Sequence, residues 1–304
     1  EILELDAGAG VSAFSTMRGG DACGPKDAYA GFNVCHYTGD DQAHVAHCRR
    51  ELAAYVGTDV NRLVIPRQTH SVNVAVIGDM LPCLEEVDAL VTVRDDVALV
   101  VNTADCLPVV FNDSLHGVIA IAHAGWRGLY DGILAATVAK MSRLGAVPGD
   151  MRVAIGPCIC GACYEVDEAF AARFEARFGS DVRIVPASGH KPHVDLRAAA
   201  VIELERCGID PTGISDSGAA AGVTNACFRH EDKAQFRTHS NRSEAYRLNE
   251  FERNTCREIG VIISRLSDEQ TVRPYLINRN YAGLSSTREI SIEKYFLEKN
   301  EKSG

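Results

Sequence analysis

Apolar residues recur along this chain at two spacings. Between residues 62 and 124 they fall in short runs: RLVIP (62–66), VNVAVI (72–77), DALVTV (88–93), VALVVNT (97–103), LPVVF (107–111) and GVIAIAHA (117–124). Runs of this length, rich in Val and Ile and bounded by Gly, Pro, Asn or Asp, predict strands. Several are apolar without alternation, as strands covered on both faces are. VSAFST (11–16), MRVAIGP (151–157), a stretch near 213–217 and REIGVIIS (257–264) predict four more.

Helical spacing appears elsewhere. Val45, Cys48, Leu52 and Tyr55 repeat at intervals of three and four, after Asp40 and Asp41 as candidate caps and before Gly57 as a stop. Residues 128–144 predict one helix, with Ile133, Leu134, Val138 and Met141 on one side, and further helices are expected at 167–178 and 197–207. Runs of strands interleaved with single helices predict an α+β fold with mixed β-sheets rather than regular βαβ winding. The intervening RGGDACGPKDAYAGFN (18–33) reads as a long Gly-rich loop, and loops of that length are often functional.

The bulk numbers narrow the function. A chain of 304 residues suits one large domain or two small ones. A formal net charge of −10 argues against a nucleic-acid partner. No apolar run is long enough to span a membrane, and EILELDAGAG has no basic region followed by an apolar one. With eleven cysteines and no secretory signal, the chain is expected to be cytoplasmic, its thiols mostly reduced.

Chemistry concentrates at three strand ends. His123 ends GVIAIAHA, Cys106 sits in the turn before LPVVF, and PRQTHS puts His70 in a turn between two strands. Two imidazoles and a thiol with no fourth protein ligand fit catalytic zinc, which keeps one position open for water. Spacing alone favours the plainer reading, a buried small thiol and hydrogen-bonded histidines, because the three lie far apart in sequence. A third reading makes Cys106 a nucleophile with His123 as its base.

Four motifs in chain order shift that balance. QTH (68–70), TADCLPV (103–109), HAGWRG (123–128) and IGPCI (155–159) with CYEV (163–166) together resemble the laccase-domain family. That family is known as polyphenol oxidase and as purine nucleoside phosphorylase, and some members are tied to editing of peptidoglycan precursors. The resemblance covers about residues 10–264 and implies a four-layer α/β/β/α arrangement in a single large domain. It implies that His70, Cys106 and His123 bind zinc. It implies metal-dependent phosphorolysis of adenosine, inosine and methylthioadenosine, with deamination of adenosine. A laccase-domain-like catalytic domain is then expected over 1–268, with 269–304 a partly disordered C-terminal appendage. The family's late arginine segment is altered here, to FRTHSNR (236–242) and TCRE (255–258).

Phosphorolysis needs an anion site. Arg127, after the sole tryptophan Trp126, is the leading phosphate ligand, because a guanidinium fork suits phosphate. A salt bridge on the following helix is its plain alternative. The amides of Gly125–Gly128 and Arg18 in TMRGG are further anion candidates, and Asn33 can bind ribose or orient a ligand. Asp105, beside Cys106, is the candidate for acid–base or ligand-orienting work, with Asp88 and Glu165 as weaker choices. His44, His47, His190 and His193 read as surface residues, and Cys158, Cys160 and Cys163 as thiols near the pocket.

Rival functions remain at this level. A copper-dependent polyphenol oxidase would use copper in the same His₂Cys set, although none of the ten histidines forms a His-x-His pair. A cysteine hydrolase or amidase acting on peptidoglycan precursors would use Cys106 and His123 alone, and a metal-binding scaffold would turn over nothing. The expected partners are small molecules, a purine nucleoside and phosphate, with no membrane contact, on a monomer or small homo-oligomer.

Overall fold

A computed structural model describes residues 2–17, 31–185, 190–219 and 259–265. In chain order it begins with β1 (Ile2–Glu4), β2 (Val11–Thr16), α1 (Gln42–Val56), β3 (Leu63–Val64), β4 (Val74–Ile77) and β5 (Ala89–Thr92). Next come β6 (Ala98–Thr103), β7 (Leu107–Asp113), β8 (Val118–Ala124), α2 (Trp126–Asp131), α3 (Ile133–Arg143) and β9 (Arg152–Ile155). The last are α4 (Glu168–Phe178), β10 (Arg183–Ile184), β11 (His193–Val194), α5 (Leu196–Arg206), β12 (Ile214–Asp216) and β13 (Ile259–Arg265).

Two large sheets result, both mixed. One runs β1-β2-β13-β6-β3 and the other β12-β9-β7-β8-β5-β4. Pairing is antiparallel except for β3 with β6, β4 with β5 and β12 with β9. The α+β expectation with mixed sheets holds.

Alternation of side chains sorts the core into three clusters. Ala120, Ala122, Val109 and Phe111 face α2 to α5, packing on Leu129, Leu134, Phe174 and Leu204. From the same strands Ile119, Ile121 and Val110 turn the other way and meet Leu99, Val101 and Ile263 of the five-stranded sheet. Ala98, Val100 and Ile262 face outward from that sheet onto Cys48 and Leu52 of α1. The clusters lie between helices and the six-stranded sheet, between the two sheets, and between the five-stranded sheet and α1. Continuous apolar runs such as VIAIAHA thus follow from burial of both faces, since all seven residues of β8 are buried.

Helix ends follow local chemistry. The Asp41 carboxylate accepts from the Ala43 amide at 2.7 Å, and Gly57 closes α1 in the left-handed region. The helix expected over 128–144 is two helices. Gly132, at φ +99°, ends α2 and starts α3. The apolar spacing runs on through this break, so periodicity alone did not reveal it. Among the described residues, no helix is long and apolar enough to cross a membrane.

Candidate metal centre

Twice the chain crosses from the five-stranded to the six-stranded sheet. Residues between β3 and β4 make the first crossing and carry His70; residues 104–106, between β6 and β7, make the second and carry Cys106. His123 is the penultimate residue of β8 and pairs with Pro108 of β7. Leu107 pairs with Ala124, so one step further along this ladder Cys106 stands opposite Gly125. His70 is exposed, Cys106 half-buried and His123 buried, and one ligand atom from each lies within 4.8 Å of the others.

Asp88 builds this arrangement. Its carboxylate accepts from the amides of Thr69, His70 and Ser71 at 3.2, 2.9 and 2.8 Å, and from the Ser71 hydroxyl at 2.7 Å. That cradle holds His70 at φ +61°, a left-handed conformation uncommon for a residue with a Cβ. The same carboxylate accepts from Nδ1 of His123 at 2.8 Å. The bond fixes the ring and leaves Nε2 as the nitrogen available to a ligand. Gln68 anchors the loop from its other side. Its side-chain amide donates to the Asn102 carbonyl at 2.7 Å and accepts from the Asn102 amide at 2.8 Å.

The electrostatics follow from these contacts. Burial alone would raise the Cys106 thiol, but hydrogen bonds from His123 and His70 and the charge of both rings bring it down to about 6. Burial alone would lower His123, but its bonds to Asp88 and Cys106 and their charges push it up to about 9. Burial alone would raise Asp88, but bonds from His123 and Ser71 hold it at about 2. The Cys106 sulfur, the His123 ring oriented by Asp88 and the His70 ring therefore meet at one point.

The donor set fits a divalent ion. Nitrogen and sulfur ligands on one tetrahedral zinc stand about 3.6 Å apart; Cys106 Sγ and His70 Nε2 are 3.4 Å apart. A Cβ on Gly125 would run into His70 Cδ2 and lie 2.9 Å from Cys106 Sγ, so glycine is required for the cluster to close.

The remaining expected site residues divide. Arg127 is exposed, stands over the Trp126 ring at 5.4 Å and has no ion-pair partner among the described residues. It is the second residue of a six-residue helix. Asp105 lies in the bend before β7, its carbonyl accepting from the Ile159 amide at 3.0 Å. Asn33 is committed to its own turn: its amide nitrogen donates to Asp40 at 2.9 Å and its oxygen accepts from the Cys35 amide at 2.9 Å. Glu165 is 3.6 Å from the Lys191 ammonium. Arg18 and the segments 236–242 and 255–258 lie outside the described residues.

His44 is more than a surface residue. Its Nδ1 is 2.8 Å from the Asp40 carboxylate and its Nε2 is 3.5 Å from Cys48 Sγ. Cys48 is only 3% exposed, so a substrate has no approach to that sulfur. Cys158 is fully buried, its thiol pushed up to about 12 by burial, and Cys160 Sγ is 2.7 Å from Cys163 Sγ. What sequence reasoning underrated is Asp88, Gln68 and Gly125. A buried aspartate opening an apolar run was the available signal for the first.

Known proteins resemble this chain. The chain is 44% identical over 231 residues to adenosine deaminase RL5 from an unknown prokaryotic organism, covering 72% of this chain and 87% of that one. It is 39% identical over 203 residues to a purine nucleoside phosphorylase of Deinococcus radiodurans, covering 67% and 77%. The crystal structure of YlmD from Geobacillus stearothermophilus superposes with a TM-score of 0.69 at 27% identity, covering 85% of this chain and 93% of that one. The family model described as multi-copper polyphenol oxidoreductase laccase matches residues 11–264, and the chain belongs to that family.

Proposed function

We propose that this protein is a zinc-dependent purine nucleoside phosphorylase acting on adenosine, inosine and methylthioadenosine, with adenosine deaminase activity. The observation that carries this reading is the convergence of His70, Cys106 and His123 within 4.8 Å, with His123 locked by Asp88. The names of the relatives above support the purine nucleoside class. In this reading residues 1–268 form the catalytic unit and 269–304 an appendage.

His70, Cys106 and His123 would hold the ion. When bound, it supplies a Lewis acid that makes water reactive near neutral pH or polarises a substrate oxygen. Asp88 keeps His123 in the tautomer that offers Nε2. Cys106 contributes the negative charge that a divalent ion needs. Arg127, exposed and without an ion-pair partner among the described residues, binds phosphate through its planar fork. Asp105, one residue from Cys106, moves the proton in deamination, and Arg18 supplies a second phosphate contact.

A second reading has its own support. Asp88, His123 and Cys106 also follow the order of orienting acid, base and nucleophile that a cysteine hydrolase uses. One assay separates the readings. Base release from the three nucleosides is followed with and without phosphate, on zinc-loaded, copper-loaded and metal-free protein. Phosphate-dependent release by the zinc form alone is expected. Phenol oxidation by the copper form without base release would favour the oxidase. Amide hydrolysis by metal-free protein would favour the hydrolase.

A further inference from the structure

β4 is the edge of the six-stranded sheet, and its outer side has no strand partner among the described residues. Natural sheet edges are usually blunted by charge, proline or a bulge. VNVAVI (72–77) contains no charged residue and no proline. Val72 and Val76 are 39% and 36% exposed, and the turn beyond carries exposed Met80 and Leu81.

A groove of about 380 Å³ runs beside this edge, lined by Val72, Asn73 and Val74 of the strand segment and by Ala136, Ala139, Lys140 and Arg143 of α3. Its α3 wall is low because two alanines stand there. Its far end carries two cations with no ion-pair partner among the described residues. Their position in the last turn of α3 suits the helix dipole and explains their sign. It does not explain why they border an open groove beside a strand edge that is unpaired among the described residues, in a chain of net charge −10.

We propose that this edge and groove dock an extended acidic segment of a partner protein, which adds a strand to β4 and sets its carboxylates against Lys140 and Arg143. Strand addition supplies main-chain hydrogen bonds, while alternate side chains read the groove. Residues of the added strand that face α3 meet Lys140 and Arg143, which selects carboxylates. The same cations argue against a second copy of this chain as occupant. Antiparallel pairing of β4 with itself about a two-fold axis perpendicular to the sheet brings both α3 helices to one side of the seam, with four like charges facing each other. A free phosphate would use the cations but leave the strand edge idle.

The test uses the full chain and a fluorescein-labelled peptide, Glu-Val-Glu-Val-Glu-Val-Glu, followed by anisotropy, beside the same peptide with lysine for glutamate. The acidic peptide is expected to bind and the basic one not. Val76→Glu, and Lys140→Glu with Arg143→Glu, are each expected to weaken binding about tenfold or more. Neither change touches the metal centre, so nucleoside turnover is expected to stay as in the parent, while the double reversal, which sets two acids at the C-terminal end of α3, is expected to lower the melting temperature by a few degrees; turnover reports on the proposed function independently of docking. Three outcomes would overturn the proposal. The acidic peptide fails to bind, or binds no better than the basic one. Inorganic phosphate displaces it and Val76→Glu has no effect, which makes the groove an anion site. Sedimentation shows a dimer that Val76→Glu dissociates, which assigns the edge to a second copy.

Discussion

Asp88 does three things with one carboxylate. It accepts three consecutive amides of the QTH turn, holds the left-handed His70 and fixes the His123 ring. Groups that orient a histidine ligand typically change metal affinity by 10–100-fold. Asp88→Asn is therefore expected to weaken zinc binding by about that factor, read by competition with a chromophoric chelator; unchanged affinity would remove Asp88 from the site. Cys106 gives a second prediction at this level. Its thiol is brought down to about 6, so in chelated protein it is largely thiolate at pH 7, whereas Cys158, pushed up to about 12, is not. Iodoacetamide labelling followed by peptide mass spectrometry is expected to modify Cys106 with a pH midpoint near 6 and to leave Cys158 untouched. A midpoint in the ordinary thiol range would contradict the described contacts. The clustering of His70, Cys106 and His123 is legible in the sequence because chemically distinctive residues stand at strand ends and turns. Asp88 was ranked low because its effect depends on which backbone amides fold around it, and that is a tertiary fact. Asn33 had looked available, yet local hydrogen bonds to Asp40 and Cys35 occupy its amide.

At the level of elements, strands such as β7 and β8 were readable because burial on both faces leaves no polar position to blur them. The short pairs fared differently. β1 has three residues, and β10 and β11 have two each, too few for any period to register. The division of one expected helix into α2 and α3 rests on Gly132, which donates to the carbonyls of Gly128 and Leu129 while adopting φ +99°. A side chain with a Cβ pays about 1–2 kcal/mol in that region. Gly132→Ala is expected to lower the melting temperature by a few degrees, as seen by calorimetry, without loss of bound zinc. An unchanged melting temperature would mean that α2 and α3 tolerate a continuous path. Which sheet each strand joins was not readable from periodicity. The pattern along β3, β4, β6 and β7 is alike, and only pairing shows that the chain changes sheet between β3 and β4 and again between β6 and β7.

Across the whole molecule, those two crossings put His70 and Cys106 at one seam, where a strand end from the six-stranded sheet adds His123. An ion held there would join segments that are 36 and 17 residues apart in the chain, as numbered. The hydrophobic cluster between the sheets holds them together beside that seam. Zinc-edge X-ray absorption on protein loaded with one equivalent of zinc tests this account most directly. One sulfur at about 2.3 Å and two imidazole nitrogens at about 2.0–2.1 Å are predicted, with the sulfur shell gone in Cys106→Ser. A spectrum of nitrogen and oxygen ligands alone, or a sulfur shell that survives Cys106→Ser, would contradict it.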